Sequence, residues 1–214
     1  MCGRYVNKNS IEELAKFFDE KIIIDDSSVL KPKYNICPTQ FATVFTKTSE
    51  GIKLKSMRWG LIPSWSKDEK YASNLINARI ETVKEKPSYK SLVKNYRCIV
   101  IANGYYEWLQ TSNGRQPVYI YSNHSVLPIA GLWTTWKSVN SFTIITQNSY
   151  GILKNVHPRM PLVLKSSSCQ SYLDNSIDFD FSYEPLNDHL KYHKVSKAVN
   201  SVKVDDSSCL ERIA

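Results

Sequence analysis

Between Arg97 and Thr146 the chain offers little except strand. Apolar runs at 97–102, 105–109, 117–121, 126–133 and 141–146 follow one another closely, and Asn113-Gly114 marks a hairpin turn between two of them. Runs at 41–45 and 52–59, separated by a polar stretch with Gly51, predict a further hairpin, and 160–164 and 193–196 add two short strands. Eight or nine short strands without strict βαβ alternation and without a repeat predict an α+β fold. Its antiparallel sheets should curl into a barrel-like body with short peripheral helices. Ser10-Ile11-Glu12-Glu13 is a capping box, and Ile11, Leu14, Phe17 and Phe18 then fall on one face, so a helix is expected over 11–20. Asn77 is placed to cap a short helix over 78–83 that must end before Pro87, with others at 89–94 and 168–173. The 214 residues fit one domain, 1–214.

Cysteine usage and charge narrow what such a body does. Cys2, Cys37, Cys98, Cys169 and Cys209 are odd in number and widely spaced, with no CxxC pair, so reduced thiols are expected and neither metal nor cofactor is. No tract of about 18 apolar residues could cross a bilayer, and the start lacks a basic segment followed by an apolar one. The reading is a protein that is not secreted, cytoplasmic and nucleoid-associated or nuclear, with a monomer as the default state. Of the formal net charge of +8, residues 53–97 hold +7, with eleven Lys and Arg against four Asp and Glu. That concentration is the footprint of a polyanion, or else a solvated lysine-rich face. Trp59 and Trp65 flank a proline-containing loop in the same region. Exposed, they are platforms for bases; buried, they are core.

Four polar positions can carry chemistry. A small residue at position 2 lets the initiator methionine be trimmed, which would leave Cys2 with an α-amine and a thiol on adjacent carbons. That pair condenses with an aldehyde as an imine and then closes a thiazolidine; it can also serve as an acyl-transfer nucleophile whose own amine is the base. The plain alternative is a buried small hydrophobe. Glu107 lies among aromatics in Gly104-Tyr105-Tyr106-Glu107-Trp108, which suits a carboxyl of raised pKa or, outward-facing, a surface glutamate. His157, between turn-forming residues in Val156-His157-Pro158-Arg159, is better placed for proton transfer than His124, His189 or His193. His189 and His193 lack an acidic third ligand and read as surface residues. Asn77 is a helix cap or a substrate contact.

Taken together, seven blocks resemble one family. They are Met1-Cys2-Gly3-Arg4-Tyr5, Tyr34-Asn35 with Pro38-Thr39-Gln40, Arg58-Trp59-Gly60-Leu61-Ile62-Pro63-Ser64-Trp65, Ile76-Asn77-Ala78-Arg79-Ile80-Glu81-Thr82, Gly104-Tyr105-Tyr106-Glu107-Trp108, His157-Pro158-Arg159-Met160-Pro161 and Val199-Asn200. In order and nearly from end to end, they resemble the SRAP family, the SOS-response-associated peptidase or abasic-site processing proteins. The resemblance implies a protein of the DNA damage response that senses abasic sites in single-stranded DNA and crosslinks itself to them. It assigns thiazolidine formation to Cys2, lesion sensing to Asn77 and Glu107, and sugar ring opening to His157. It assigns phosphate contacts to Arg4, Arg79 and Arg159, and splaying of flanking bases to Pro38 with Trp59. It also raises lyase chemistry, and a peptidase activity confined to removal of Met1. The rival from another class is an N-terminal-nucleophile glutamine amidotransferase, which also begins Met-Cys-Gly and would draw an oxyanion contact from Asn103-Gly104.

Overall fold

The computed structural model describes residues 2–18, 20–24, 31–123, 126–174 and 190–214. Met1, His124 and His189 lie outside the described residues. Strands dominate, and they form two sheets. One sheet is built from β1 (Arg4–Asn7), β3 (Lys33–Ile36), β8 (Gly104–Thr111), β9 (Gly114–Ser122) and β13 (Leu190–Lys194), in the order β13-β9-β8-β1-β3. The other contains β2 (Ile22–Ile24), β4 (Phe41–Thr48), β5 (Gly51–Trp59), β7 (Arg97–Ala102), β10 (Leu127–Trp136), β11 (Val139–Asn148) and β12 (Arg159–Pro161), in the order β12-β11-β10-β7-β4-β5-β2. The short β6 (Asn77–Arg79) adds to β11, and a parallel contact between β11 and β5 draws the flanks of this sheet toward each other. The result is the curled, barrel-like α+β body.

Alternation explains the layering. On the β4/β5 hairpin Ala42, Val44, Met57 and Trp59 point to one face and pack with Tyr5, Ile36, Tyr105 and Phe142 between the sheets. Phe45, Ile52 and Leu54 point to the other, where Leu14, Phe18 and Tyr172 cover them. The sheet containing β4 and β5 is therefore buried on both sides and α1 (Ile11–Ala15) and α2 (Ser166–Leu173) lie at its periphery. β8 crosses β9 so closely that a Cβ at Gly104 would sit 2.4 Å from the Ile120 carbonyl oxygen and 2.5 Å from the Tyr119 ring. A side chain there would push β8, and what it carries, away from β9.

Three expected helices need correction. The capping box forms as expected, Glu13 N–H donating to Ser10 Oγ at 3.4 Å and Ser10 N–H to the Glu13 carboxylate at 3.0 Å. The helix nevertheless stops at Ala15, because Phe18 turns onto Phe45 at 4.7 Å and Glu20 pairs with Lys47, which brings Ile22 into register with β5. Asn77 is not a cap: it opens β6, and the short 3-10 turn Ile80–Thr82 is preceded by Arg79 without a side-chain cap. Residues 89–94 form linked turns around Pro87, with single bonds such as Lys90 N–H to Lys86 O at 2.9 Å that do not propagate.

Candidate active site

Cys2 sits at the mouth of β1, where pairing of Arg4 with Tyr106 and Tyr5 with Tyr105 lays the start of the chain along β8. It is fully buried. Asn77 reaches it from the other sheet: Asn77 Nδ2 donates to the Cys2 carbonyl oxygen at 2.9 Å. Asn77 is itself held by register with Ile144 on β11 and by the Tyr89 hydroxyl, which donates to its carbonyl at 3.3 Å. Burial pushes the Cys2 thiol far up from its ordinary pKa, and the nearby Glu107 carboxylate adds to the effect. Glu107, 3% exposed, is itself raised by burial, while the His157 imidazole and the Trp108 backbone N–H pull the other way. Glu107 is thus within electrostatic reach of both Cys2 and His157, and Asn77 touches Cys2. The His157 Nδ1 lies 3.0 Å from both the N–H and the carbonyl oxygen of Arg159. A neutral ring accepts from the first and a protonated ring donates to the second, so either charge state has a partner at that nitrogen.

The basic residues divide by burial. Arg79 is exposed at the end of β6. Arg159 pairs both terminal nitrogens with Glu81, at 2.6 and 3.0 Å, and also donates to Asn148 and to the Thr146 carbonyl. Arg4 is clamped to the chain's last segment, donating to Asn35 Oδ1 at 2.9 Å, Val199 O at 2.5 Å and Asn200 O at 3.1 Å. Within the basic stretch, Arg97 is buried against the Tyr172 ring and donates to Val93 O, and Lys53 pairs with Glu50. Lys67, Lys70, Lys84, Lys86, Lys90 and Lys94 are exposed.

Trp59 is not a surface platform. It is 0% exposed, its indole N–H donates to Ile76 O at 3.0 Å, and its ring packs edge-on to Tyr5 and parallel to Phe142. The alternation of β5 carries the reason, since Met57 and Trp59 share the inward face. Gly60, at φ 111°, then turns the chain out into the loop, where Trp65 is 61% exposed. Trp65 is the residue with an open ring face, and its place beyond the last alternating position of β5 is the signal for it. Trp59 instead braces the half-exposed Pro38: Thr39, at φ 73°, donates its N–H to Trp59 O, and Trp59 N–H to Gln40 O, both at 2.8 Å.

Asn103 is committed elsewhere. Its Oδ1 accepts the Lys8 N–H and its Nδ2 donates to Asn9 Oδ1, both at 2.7 Å, so it braces the end of β1 and is not set as an oxyanion donor. His193 is half-buried, not a plain surface residue, with Nε2 2.9 Å from Leu210 O and its ring edge-on to Tyr119 and Tyr121. Among the described residues no group of three His, Cys, Asp or Glu is arranged to hold a metal, and all five cysteines are free. No helix among them is long and apolar enough to cross a membrane.

A family model described as SOS response associated peptidase (SRAP) matches residues 1–202. The chain belongs to that family. Abasic site processing protein YoqW of Bacillus subtilis is 30% identical over 223 residues, covering 99% of both chains. Abasic site processing protein HMCES of Xenopus tropicalis is 32% identical, over 88% of this chain and 68% of its own length. A crystal structure of a protein from Bacteroides thetaiotaomicron superposes with a TM-score of 0.86 over the whole of both chains at 21% identity, which speaks to the SRAP fold alone.

Proposed function

We propose that this chain acts on abasic sites in single-stranded DNA, and that Cys2, once Met1 is removed, joins itself to the lesion as a thiazolidine. The names of its SRAP relatives support the substrate, and the cluster around Cys2 supports the chemistry. One observation carries the reading. The Asn77 carboxamide holds the Cys2 carbonyl through Nδ2 while its buried Oδ1 has no partner among the described residues. A freed α-amine on Cys2 is the donor that Oδ1 lacks.

The steps follow from the side chains present. An abasic sugar is mainly a closed hemiacetal, and His157 donates a proton to the ring oxygen as the C1′ hydroxyl loses one and the aldehyde opens. The neutral Cys2 nitrogen bonds to C1′. The carbonyl oxygen leaves as water, and the sulfur bonds to the same carbon. The two protons that leave with that oxygen come from the nitrogen and the sulfur, and Glu107, whose carboxyl burial pushes above its ordinary pKa, relays them. Removal of Met1 is the one peptidase event this scheme requires. The exposed lysines, Arg79 and Trp65 supply sequence-independent phosphate attraction and a stacking face. Residues 1–214 act in this reading as one domain, as a monomer, inside the cell.

Intact-mass analysis after mixing the protein with a single-stranded oligonucleotide bearing one abasic site tests the proposal. The expected species lacks Met1 and gains the oligonucleotide minus one water. Cys2→Ala should keep most non-covalent binding and form no adduct, and Cys2→Ser should form only a reversible imine. A retained Met1 with no adduct, or a stable adduct with Cys2→Ala, overturns the assignment.

A further inference from the structure

Tyr5 and Tyr105 face each other across β1 and β8, and both belong to the cluster that encloses Cys2. They are 0% and 1% exposed, and neither hydroxyl has a partner among the described residues. Folds keep few such groups, because a buried hydroxyl without a partner is destabilising. Three other buried tyrosines are satisfied. Tyr106 donates to Tyr34 O and Tyr172 to Gly131 O, each at 2.8 Å, and Tyr89 reaches Asn77 O. Here the two orphaned phenols stand in the Cys2 cluster, with Glu107 two positions along β8 from Tyr105 and so on the same face of the strand. Burial, and then the charge of Cys2, pushes both hydroxyls far above the ordinary tyrosine pKa, so each remains a donor at any working pH.

We propose that the Tyr5 and Tyr105 hydroxyls form a two-donor cradle for the oxygen of the substrate aldehyde, which makes them further catalytic residues. This rests on the thiazolidine reading above. As the Cys2 nitrogen bonds to C1′, the carbonyl π pair moves onto oxygen, and that developing negative charge receives the two phenol hydrogen bonds. The phenols keep their protons throughout; the protons that leave with the oxygen as water are those of the nitrogen and the sulfur. Fixed donors aimed at a developing oxyanion in a site without bulk water stabilise the transition state more than the ground state.

Tyr105→Phe and Tyr5→Phe separate this role from a structural one, because removing an unsatisfied hydroxyl should not weaken the fold. Three quantities are measured: the single-turnover crosslinking rate at saturating abasic oligonucleotide, the affinity for an oligonucleotide with a tetrahydrofuran abasic analogue that has no aldehyde, and the thermal midpoint. The rate should fall about a hundredfold for Tyr105→Phe and at least about tenfold for Tyr5→Phe, with affinity and midpoint at or above the wild-type values. Wild-type rates in both variants, or a slower rate with an equal loss of affinity or thermal midpoint, overturn the proposal. If Tyr105→Phe does not fold, Tyr5→Phe alone decides. A wild-type protein that forms no crosslink sinks the thiazolidine reading itself, whereas crosslinking at equal rates in all three proteins sinks only the phenol cradle.

Discussion

The interior around Cys2 and the rim that runs from Ser64 to Tyr96 are built on opposite rules. In the interior Cys2, Tyr5, Tyr105 and Glu107 are all but sealed from solvent, and each is placed by strand register. Water exclusion makes every charge and dipole there strong, so small displacements matter. Along the rim Trp65 and six lysines stand in solvent, where each charge is screened and, in the proposed DNA contact, would act with the others through counterion release. Single side chains should therefore decide what happens inside, and no single lysine should decide what happens outside.

The two tryptophans that flank one loop, Trp59 ending β5 and Trp65 beyond it, test that contrast most severely. Trp59→Ala empties a fully packed site between Tyr5 and Phe142 and should cost about 3–5 kcal/mol of stability in denaturant unfolding. Trp65→Ala should change stability by less than about 0.5 kcal/mol. It should instead weaken binding to undamaged single-stranded DNA by about 1–3 kcal/mol, the worth of one stacked base. Equal stability losses for the two would show that the rim is not a rim.

Much of the architecture is readable locally. The Ser10 and Glu13 capping box needs only partners three residues apart, and β7 coincides with the expected 97–102 because its apolar run is buried on both faces. β1 and β6 escape such reading. Arg4–Asn7 is a four-residue strand carrying Arg and Asn, and its pairing with β8 and β3 is decided far along the chain. Asn77 has the residue type of a helix cap, but the register that β11 imposes on β6 outweighs that preference. The same holds at the site. Cys2, Asn77, Glu107 and His157 stand out by residue type and setting, whereas the 2.9 Å bond from Asn77 to Cys2 and the orphaned hydroxyls of Tyr5 and Tyr105 exist only once two sheets are stacked.

Glu107 supplies the next test, in pH. Its folded pKa is raised by burial, so between the ordinary carboxylate pKa and that raised value the folded chain binds more protons than the unfolded one. Its contribution is therefore full below the ordinary value and is lost as pH rises through the window, at about 1.4 kcal/mol per pH unit. Glu107→Gln carries no such proton, so its stability relative to wild type should improve with rising pH while its crosslinking rate falls. Parallel stability curves for the two proteins from pH 4 to pH 8 would mean that Glu107 is not dehydrated as its burial requires.

The smallest effect belongs to the border between the two regions, where Arg159 extends from beside His157 toward Arg79. In the free chain Arg159 gives both terminal nitrogens to the half-exposed Glu81, whose carboxyl the arginine holds below the ordinary carboxylate range. The pair's stabilisation is thus complete above that ordinary range and is lost as pH falls through the lowered value. On the proposed reading a phosphate recruited to Arg159 would have to displace that carboxylate, and Glu81 would compete with DNA. Glu81→Gln should tighten binding of undamaged single-stranded DNA by up to about 1 kcal/mol, steepen its salt dependence by a fraction of one counterion, and cost about as little in stability. Fluorescence anisotropy across a salt series reads both changes. Unchanged affinity and slope would place Arg159 with the interior, as a strut between β11 and β12, and leave the phosphates to Arg79 and the lysines of the rim.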